Sequence, residues 1–257
     1  MTTILIPAAS LKPESWQYMK LLLESINRNE LWKHYEIVVA FDGCSEEFID
    51  NAYDTCPYIN PDTRFINAGR PKNFCGNVNA ALRILHGEQH KSVIVVNQDT
   101  ILPPIQFMKR LEFGHICSAT EVVLAQDLTQ LEGLVETLDS SQPEDAYYEE
   151  VDKIIGFCMF LSKEFLDQVG YLNEYLQASF DDDDLCAKAN LLGITIRQSN
   201  TIVHHFQNKL GAYQHMDLPI RKNQFNLLWH VPLDVPHAKF QEYIKEHHVW
   251  KDEYKEV

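Results

Sequence analysis

Short, uninterrupted apolar runs alternate with amphipathic stretches through the first part of the chain. Continuous apolar runs of this kind are typical of strands that are buried on both faces, as in a parallel sheet covered by helices. The pattern predicts strands over residues 3–8, 35–41, 63–68, 92–98 and 121–126.

Two amphipathic stretches between these runs predict helices, over residues 14–29 and 76–88, because their apolar residues recur at helical spacing on one face. Strand and helix then alternate as far as residue 100. Alternation of this kind indicates βαβ units and an α/β fold whose ligands bind near the carboxyl ends of the strands.

The pattern changes in the second half of the chain. Residues 129–152 are acidic and contain a Ser-Ser-Gln-Pro break, so we expect an exposed connection there. Residues 154–170 run from an apolar strand into a short helix that ends at Gly170, and 193–206 suggest two short strands. The stretch from residue 237 to the end suggests a closing helix.

The composition, 45% hydrophobic and 23% charged over 257 residues, is that of a soluble globular protein, and one domain is expected. No apolar stretch approaches the roughly 18 residues of a membrane span. The N-terminal sequence lacks the basic and apolar regions of a signal peptide. Six scattered cysteines without C-x-x-C pairs favour reduced thiols, and we expect a cytoplasmic protein.

The net charge of -15 repels phosphate backbones and argues against nucleic acid as a partner. An anionic small molecule would need a local positive charge in order to bind, and a metal cation could supply it by bridging the molecule to carboxylates. The acidic and polar clusters of the chain therefore bear on its chemistry.

Polar clusters follow several predicted strands, where chemistry is expected in an α/β fold. The strand at 92–98 runs into Asn97-Gln98-Asp99-Thr100, and the last predicted strand ends in His204 and His205. Residues 67–82 combine glycines, a basic pair and three asparagines at a helix start, but match neither G-x-G-x-x-G nor the Walker loop.

Four consecutive aspartates, Asp181 to Asp184, precede an apolar, helix-favouring stretch. Like charges side by side raise carboxylate pKa values and cost stability. One explanation is a solvated helix start, where carboxylates meet the positive end of the helix dipole. The other is that some of them serve a metal or a reacting hydroxyl.

The order and spacing of these segments resemble glycosyltransferase family 2, enzymes of GT-A fold that use nucleotide-diphosphate sugars and invert the anomeric centre. The resemblance covers roughly residues 3–206. It rests on ILIPAAS, IVVAFDGCSEE, NAGRPKNFCGNVNAAL, VVNQDT, the block from Gly156 through FDDDDLC, and TIVHHF. It implies a GT-A, Rossmann-like fold with a central mixed, mostly parallel sheet flanked by helices.

The resemblance also implies roles for individual residues. Asp99 matches the last position of a D-x-D-type metal element, with His204 or His205 as a further ligand, and Mn²⁺ or Mg²⁺ suits such ligands. Positions matching the donor-nucleotide side are Pro7, Ala8, Phe41, Asp42, Gly69, Arg70, Asn79, Asn97 and Gln98. Within that segment Asn79 matches the Asn that opens a helix.

The aspartate run matches the acceptor-side motif of the family. The resemblance implies that Asp182 is the catalytic base and that Asp181 orients the acceptor. Asp184 is expected to fix the local helix, and Asp183 falls in a variable slot, where substitution should be nearly silent. A carboxylate flanked by like charges has a raised basicity, which helps it take a hydroxyl proton.

Two positions depart from the family pattern. Phe41 stands where many members have an Asp that contacts the nucleobase, so either Asp42 takes that role or Phe41 stacks on the base. Asn97 replaces the usual first acid of the metal element, which leaves one carboxylate there.

These inferences combine into a single GT-A domain over 1–257, with a nucleotide-binding half (1–100), an acceptor and catalytic half (101–206) and a helical tail (207–257). The expected partners are a nucleotide-sugar donor and a glycan or glycolipid acceptor. Segments 131–150 and 207–223 are expected to close over them as lids, and a passive surface loop is the alternative for 131–150. The alternatives are a nucleotidyltransferase acting on sugar phosphates and a non-catalytic domain that binds sugar nucleotide or glycan.

Overall fold

A computed structural model describes residues 1–10, 12–59, 62–67, 73–124, 141–176, 180–206 and 218–255. The strands are β1 (Thr3–Ala8), β2 (Glu36–Phe41), β3 (Arg64–Asn67), β4 (Val93–Val96), β5 (Thr100–Ile101), β6 (Ile116–Val123), β7 (Tyr148–Val151), β8 (Cys158–Leu161) and β9 (Ile196–His205). The α-helices are α1 (Ser15–Arg28), α2 (Glu46–Ile59), α3 (Phe74–Leu82), α4 (Ile105–Leu111), α5 (Lys163–Val169), α6 (Asp181–Leu191), α7 (Leu218–Leu228) and α8 (Phe240–His247).

In the described residues the strands form one mixed sheet in the order β3-β2-β1-β4-β8-β6-β9-β5, and β7 also pairs with β9. The pairings β1 with β2, β1 with β4, β2 with β3 and β6 with β9 are parallel, and the other four are antiparallel. The predicted α/β architecture with a mixed sheet is confirmed, although the two kinds of pairing are equally frequent.

The nucleotide half follows the hydrophobic pattern closely. β1 and β4 are buried along their whole length, as continuous apolar runs require. Alternate residues of β1 join separate apolar clusters, Ile4 and Ile6 on one face and Leu5 on the other. Helix α1 buries the predicted face, with Met19 and Ile26 fully covered.

Helix α3 begins earlier than predicted. It starts at Phe74 because the Asn73 side chain caps it, accepting a hydrogen bond of 2.9 Å from the Gly76 amide. From Arg83 to Glu88 the chain continues as a π-helix. Asn79 therefore lies inside the helix rather than at its opening.

Three boundaries in the second half differ from the predicted ones. The strand expected at 121–126 begins at Ile116, and residues 148–151 of the expected connection form β7. The two short strands expected over 193–206 are one strand, β9. β9 runs without a break from Ile196 to His205, and its register against β6 shifts between Ser118 and Thr120, as at a β-bulge.

The helix after β8 ends where predicted, at Gly170. Gly170 has φ of +84°, the left-handed conformation that favours glycine at a helix end. Helices α6, α7 and α8 enclose a third apolar cluster around Phe225, Trp229 and Phe240. Among the described helices none is both long and apolar enough to cross a bilayer.

Candidate active site

The carboxyl ends of β1, β2 and β4 meet at one edge of the sheet. The Gln98 side chain is held there, accepting from the Ala9 amide at 2.6 Å and donating to the Ala9 carbonyl at 2.8 Å. The Asp42 amide donates to the Ala8 carbonyl at 2.9 Å. These bonds fix the three strand ends relative to one another at the position where an α/β fold binds its ligand.

Three of the predicted nucleotide-side residues are buried in the sheet. Pro7 and Ala8 are covered within β1, and Phe41 is 2% exposed. The Phe41 ring packs face to face with Phe65, with centroids 5.7 Å apart and planes 7° apart. Stacking of a nucleobase on Phe41, one of the two alternatives, is therefore contradicted, because its ring has no exposed face.

Asn79 is held by the loop that follows α5. Its amide donates to the Leu172 carbonyl at 2.8 Å and to Glu174 at 3.1 Å, and its oxygen accepts from the Leu172 amide. Its side chain thus ties α3 to that loop. Gly69 and Arg70 lie outside the described residues, as do most of the two expected lid segments, 131–140 and 207–217.

Asp99 and His205 form a buried polar contact at this end of the sheet. Asp99 Oδ1 lies 3.2 Å from His205 Nε2, and His205 Nδ1 lies 2.6 Å from Glu121 Oε1. The imidazole also stacks on Phe157, at 5.2 Å between centroids. The three polar side chains come from three segments, since β9 pairs with β5 on one side and with β6 on the other.

The two carboxylates govern the charge on His205. Burial would lower the pKa of His205, but the hydrogen bonds and charges of Asp99 and Glu121 outweigh it and raise the pKa above its ordinary value. With Glu121 accepting the Nδ1 proton, a neutral ring directs its Nε2 lone pair at the Asp99 carboxylate. Only a proton or another cation between Nε2 and Oδ1 relieves that repulsion.

His204 points to the opposite face of β9, because neighbouring residues of a strand alternate. It is buried, and neither ring nitrogen has a hydrogen-bond partner in the described part of the chain. Burial lowers the pKa of His204 to about 4. Of the two histidines left as alternatives, His205 lies beside Asp99 and His204 does not.

The donor set at Asp99 suits a hard divalent cation that is shared with a ligand. One carboxylate and one imidazole face each other, and the nearby Asn97 Oδ1 is buried without a partner among the described residues. Within those residues no group of three or more His, Cys, Asp or Glu side chains could enclose a metal. A cation here would take its other ligands from water and from a bound phosphate, as Mg²⁺ commonly does.

The aspartate run opens α6, and it is not a solvated helix start. Asp181, Asp183 and Asp184 are 6%, 4% and 0% exposed, and Asp182 is half-buried. Phe180, directly before the run, has φ of +65°, a costly conformation for a side chain of this size. Burial of charge and backbone strain thus coincide at this helix start, as is common at functional sites.

Asp184 fixes the helix, as expected. Its Oδ1 accepts from Trp229 Nε1 at 3.0 Å, and its Oδ2 lies 2.9 Å from Lys188 Nζ. The Asp184–Lys188 contact is a buried ion pair. It anchors α6 to the third apolar cluster.

The Asp183 carboxylate also has a structural role, because both of its oxygens are bonded to side chains of other segments. Lys153 Nζ donates to its Oδ1 at 3.0 Å, and His237 Nε2 lies 2.8 Å from its Oδ2. Burial would raise the pKa of Asp183, but hydrogen bonding and charge from His237 and Lys153 lower it below its ordinary value. The burial and double pairing of this carboxylate give it a structural role that the expectation of a variable slot did not include.

Asp182 and Asp181 have the raised pKa values of candidate proton acceptors. Burial and the charge of Asp183 raise the pKa of Asp182 to about 6, against the lowering effect of two backbone amides and Lys153. Burial and the Asp182 charge raise the pKa of Asp181 well above its ordinary value. A carboxylate that titrates near 6 is a suitable general base at neutral pH.

Residues 156 and 157 connect the two groups. The Gly156 amide donates to Asp182 Oδ2 at 3.1 Å, while the Phe157 carbonyl accepts from the Asn97 amide at 2.8 Å and its ring covers His205. Neighbouring Cα atoms are only about 3.8 Å apart. The Gly156–Phe157 segment therefore links the candidate base to the Asp99–His205 pair.

The sequence analysis missed Glu121, Phe157 and Lys153 as site residues. Glu121 lies in a predicted strand, and no local sequence feature indicates that it contacts His205, which follows 84 positions later. Phe157 lies in the block from Gly156 that carried part of the resemblance, and Lys153 lies just before that block, so the resemblance was the available signal for these two residues.

No protein-family model matches this chain, and no curated protein matches it in sequence. Several solved structures do match it. Residues 1–349 of S. aureus TarS align with 95% of this chain and 69% of their own, at 12% identity and a TM-score of 0.57. A second structure of the same protein holds UDP.

Two further matches contain a metal. The mannosyltransferase PcManGT from Pyrobaculum calidifontis, solved with GDP-Man and Mn²⁺, aligns with 95% of this chain and 67% of its own, at 15% identity and a TM-score of 0.57. GalNAc-T7, solved with UDP, GalNAc and Mn²⁺, aligns with 99% of this chain and 55% of its own, at 12% identity and a TM-score of 0.57. At these identities the likeness establishes architecture, and the chain has the GT-A fold of these glycosyltransferases.

Proposed function

We propose that this protein is a family 2 glycosyltransferase that moves a sugar from a nucleotide-diphosphate sugar to a hydroxyl of a glycan or glycolipid, with inversion. The observation that carries the proposal is the Gly156–Phe157 segment, which contacts the Asp182 carboxylate through one residue and the His205 ring of the Asp99–His205 pair through the next. A GT-A fold supplies the context, and TarS, PcManGT and GalNAc-T7 bind nucleotides or a nucleotide sugar.

Asp99 and His205 are the residues that would hold a divalent cation, with Asn97 beside them. Glu121 holds His205 in the tautomer whose Nε2 faces Asp99. A bound Mn²⁺ or Mg²⁺ would neutralise the charge that grows on the departing nucleotide diphosphate. The protein must hold these side chains in place, and the Phe157 ring holds His205 by stacking on its imidazole.

Asp182 is the proposed general base. As an acceptor hydroxyl attacks the anomeric carbon, its proton passes to the Asp182 carboxylate, whose pKa of about 6 leaves it ionised at neutral pH. Direct displacement with one base and no enzyme nucleophile inverts the anomeric carbon. Asp181 orients the acceptor, and Asp42, half-buried at the end of β2, takes the nucleobase side.

The test is to incubate the protein with Mn²⁺, neutral oligosaccharides and a panel of UDP-, GDP-, TDP- and CMP-linked sugars, and to measure released nucleotide. We expect a nucleoside diphosphate from one donor, lost in Asp182→Asn and kept in Asp50→Asn, an exposed aspartate of α2. Release of pyrophosphate from a sugar phosphate and a nucleoside triphosphate would instead identify a nucleotidyltransferase. Nucleotide-sugar binding without turnover would identify a non-catalytic binding domain.

A further inference from the structure

A cavity of about 460 Å³ lies at the C-terminal end of α7, outside the candidate active site. The described residues that line it are Asn223, Asn226, Leu227, His230, Val231, Pro232 and Leu233. None of these described residues is an aspartate, glutamate, lysine or arginine, although 23% of the chain is charged. The wall is therefore mainly apolar, and the volume is in the range of small-molecule binding sites.

The buried polar side chain of this wall is that of Asn226, which is 2% exposed. Its Nδ2 donates to the Pro232 carbonyl at 3.4 Å, a long hydrogen bond that orients the amide. Its Oδ1 is buried and has no hydrogen-bond partner in the described part of the chain. A buried acceptor without a donor is destabilising, so a ligand that brings one N–H or O–H group into the cavity relieves this cost.

The backbone at the end of α7 adopts a strained conformation beside this cavity. The Val231 amide donates to the Asn226 carbonyl at 2.8 Å, and the His230 amide donates to the Leu227 carbonyl at 3.4 Å. These are the two hydrogen bonds of a Schellman motif, in which the left-handed residue is usually glycine. Here that residue is His230, with φ of +48°, and it lines the cavity. Strain of this kind is common where a protein holds a ligand.

Two large apolar side chains of the cavity are exposed to water. Leu227 is 69% exposed and Leu233 is 68% exposed. Of the large apolar residues that the structure describes, only Met1 and Val249 are more exposed. Because covering such side chains is favourable, they select a ligand that is mainly apolar.

We propose that this cavity binds an uncharged amphiphile, an aliphatic chain that carries one hydroxyl group. The chain packs on Leu227, Val231 and Leu233, and the hydroxyl donates to Asn226 Oδ1. A carboxylate or an ammonium group on the same chain would find no charged partner in the described wall, so both bind more weakly than the alcohol. This site is independent of the proposed sugar transfer.

The test is calorimetric titration of the metal-free protein at pH 8 with 1-butanol, 1-hexanol and 1-octanol. We expect saturable binding that tightens about three- to fourfold for each added CH₂ group, because each group is removed from water. Heptyl methyl ether, an isomer of 1-octanol without a donor, should bind about five- to tenfold more weakly. Octanoate and octylamine should bind at least about tenfold more weakly, because their charges lose hydration without gaining a partner.

Variants of the wall locate the bound alcohol. Leu227→Gln and Leu233→Gln change exposed side chains and should weaken 1-octanol binding about five- to tenfold. Asn226→Leu should bind 1-octanol and its ether isomer equally, because the acceptor is gone. Val249→Gln is the matched control, since Val249 is 73% exposed and does not belong to the described wall, and it should leave binding unchanged.

Thermal melting of each variant shows whether it is folded, and the two leucine variants serve if Asn226→Leu is not. Absence of saturable 1-octanol binding up to about 2 mM, where a submillimolar Kd registers, would overturn the proposal. So would octanoate, octylamine or the ether isomer binding to the unmodified protein as tightly as 1-octanol. Binding of 1-octanol that neither leucine variant weakens would place the alcohol elsewhere and would also overturn it.

Discussion

At the scale of single residues, the adjacent carboxylates of Asp182, Asp183 and Asp184 lie in three different environments. Asp184 is paired with Lys188 and Trp229, Asp183 with Lys153 and His237, and Asp182 with two backbone amides. The partners lower the pKa of Asp183, while burial and like charge raise that of Asp182. Chemical roles can therefore differ within one helical turn although the side chains are identical.

Asp182→Asn should lower kcat on the order of a hundred- to ten-thousand-fold and leave nucleotide affinity unchanged, because the proton moves only in the transition state. In the unmodified protein, kcat should fall about tenfold per pH unit below pH 6, since Asp182 protonates with a pKa of about 6. Asp181, Asp183 and Lys153 are the charged groups around it. A kcat profile flat from pH 5 to 8, measured by diphosphate release, would contradict this assignment.

Glu121→Gln should weaken Mn²⁺ binding about 10- to 100-fold, because His205 loses the carboxylate that orients it. Electron paramagnetic resonance of free Mn²⁺, in the presence of UDP or GDP, measures this directly. Glu112→Gln is the matched control, since Glu112 is also half-buried but accepts from Thr2 and Tyr35. Equal Mn²⁺ affinity in the two variants would remove Glu121 from the site.

At the scale of elements, the C-terminal helices clamp α6. Gln241 of α8 donates to the Asp183 carbonyl at 2.9 Å, and His237, just before α8, reaches the Asp183 carboxylate. The Phe180 ring, at the strained residue before α6, contacts Phe225 and Phe240. Helices α7 and α8 thus stabilise the helix start that carries the candidate base.

Asp183→Asn should lower the free energy of unfolding at pH 7 by about 2 kcal/mol, because charge-assisted hydrogen bonds to Lys153 and His237 are lost. The folded pKa of Asp183 is depressed, so its stabilisation is present above its unfolded pKa and lost as pH falls through the folded value. Urea unfolding at pH 7 and at pH 3 measures both effects. A difference that persists undiminished in acid would argue against this ionic role.

Local periodicity predicted the elements that are determined locally. The sequence of each segment alone predicts these elements: a continuous apolar run predicts each of the strands β1, β2 and β4, and an apolar face predicts helix α1. β9 could not be predicted as one strand, because its continuity depends on partners far away in the sequence. Strand boundaries in the second half were therefore the least predictable.

The sequence predicted which types of residue form the candidate site, but it did not predict which side chains contact one another there. Asp99 and the aspartate run stood out by type and position, but nothing local distinguishes His204 from His205. That distinction depends on which face of β9 meets Asp99, and so on the pairing of Thr100 with His205. The burial of Phe41 likewise depends on Phe65, from a neighbouring strand.

At the scale of the whole molecule, the sheet joins both halves into one unit. β4, from the nucleotide half, pairs with β8, which in turn pairs with β6, so sheet pairing continues without a break between the proposed halves. Ligand binding at the strand ends should therefore stabilise the whole fold.

UDP or GDP with Mn²⁺, at about a hundred times Kd, should stabilise the fold by about 2.7 kcal/mol and raise Tm on the order of 5–10 °C. Excess EDTA should abolish the shift, and Asp99→Ala should melt normally without responding to nucleotide and Mn²⁺. Differential scanning fluorimetry measures all of these. An equal shift in EDTA would contradict the metal assignment.

The junction of Asp99, Glu121 and His205 also has a consequence for synthesis. His205 leaves the ribosome 106 residues after Asp99, roughly 5 to 20 s later at typical elongation rates. During that interval β6 has an open edge, and the carboxylates of Asp99 and Glu121 have no imidazole between them. The Asp99–His205 pair that we propose as a cation site can therefore form only after translation has passed β9.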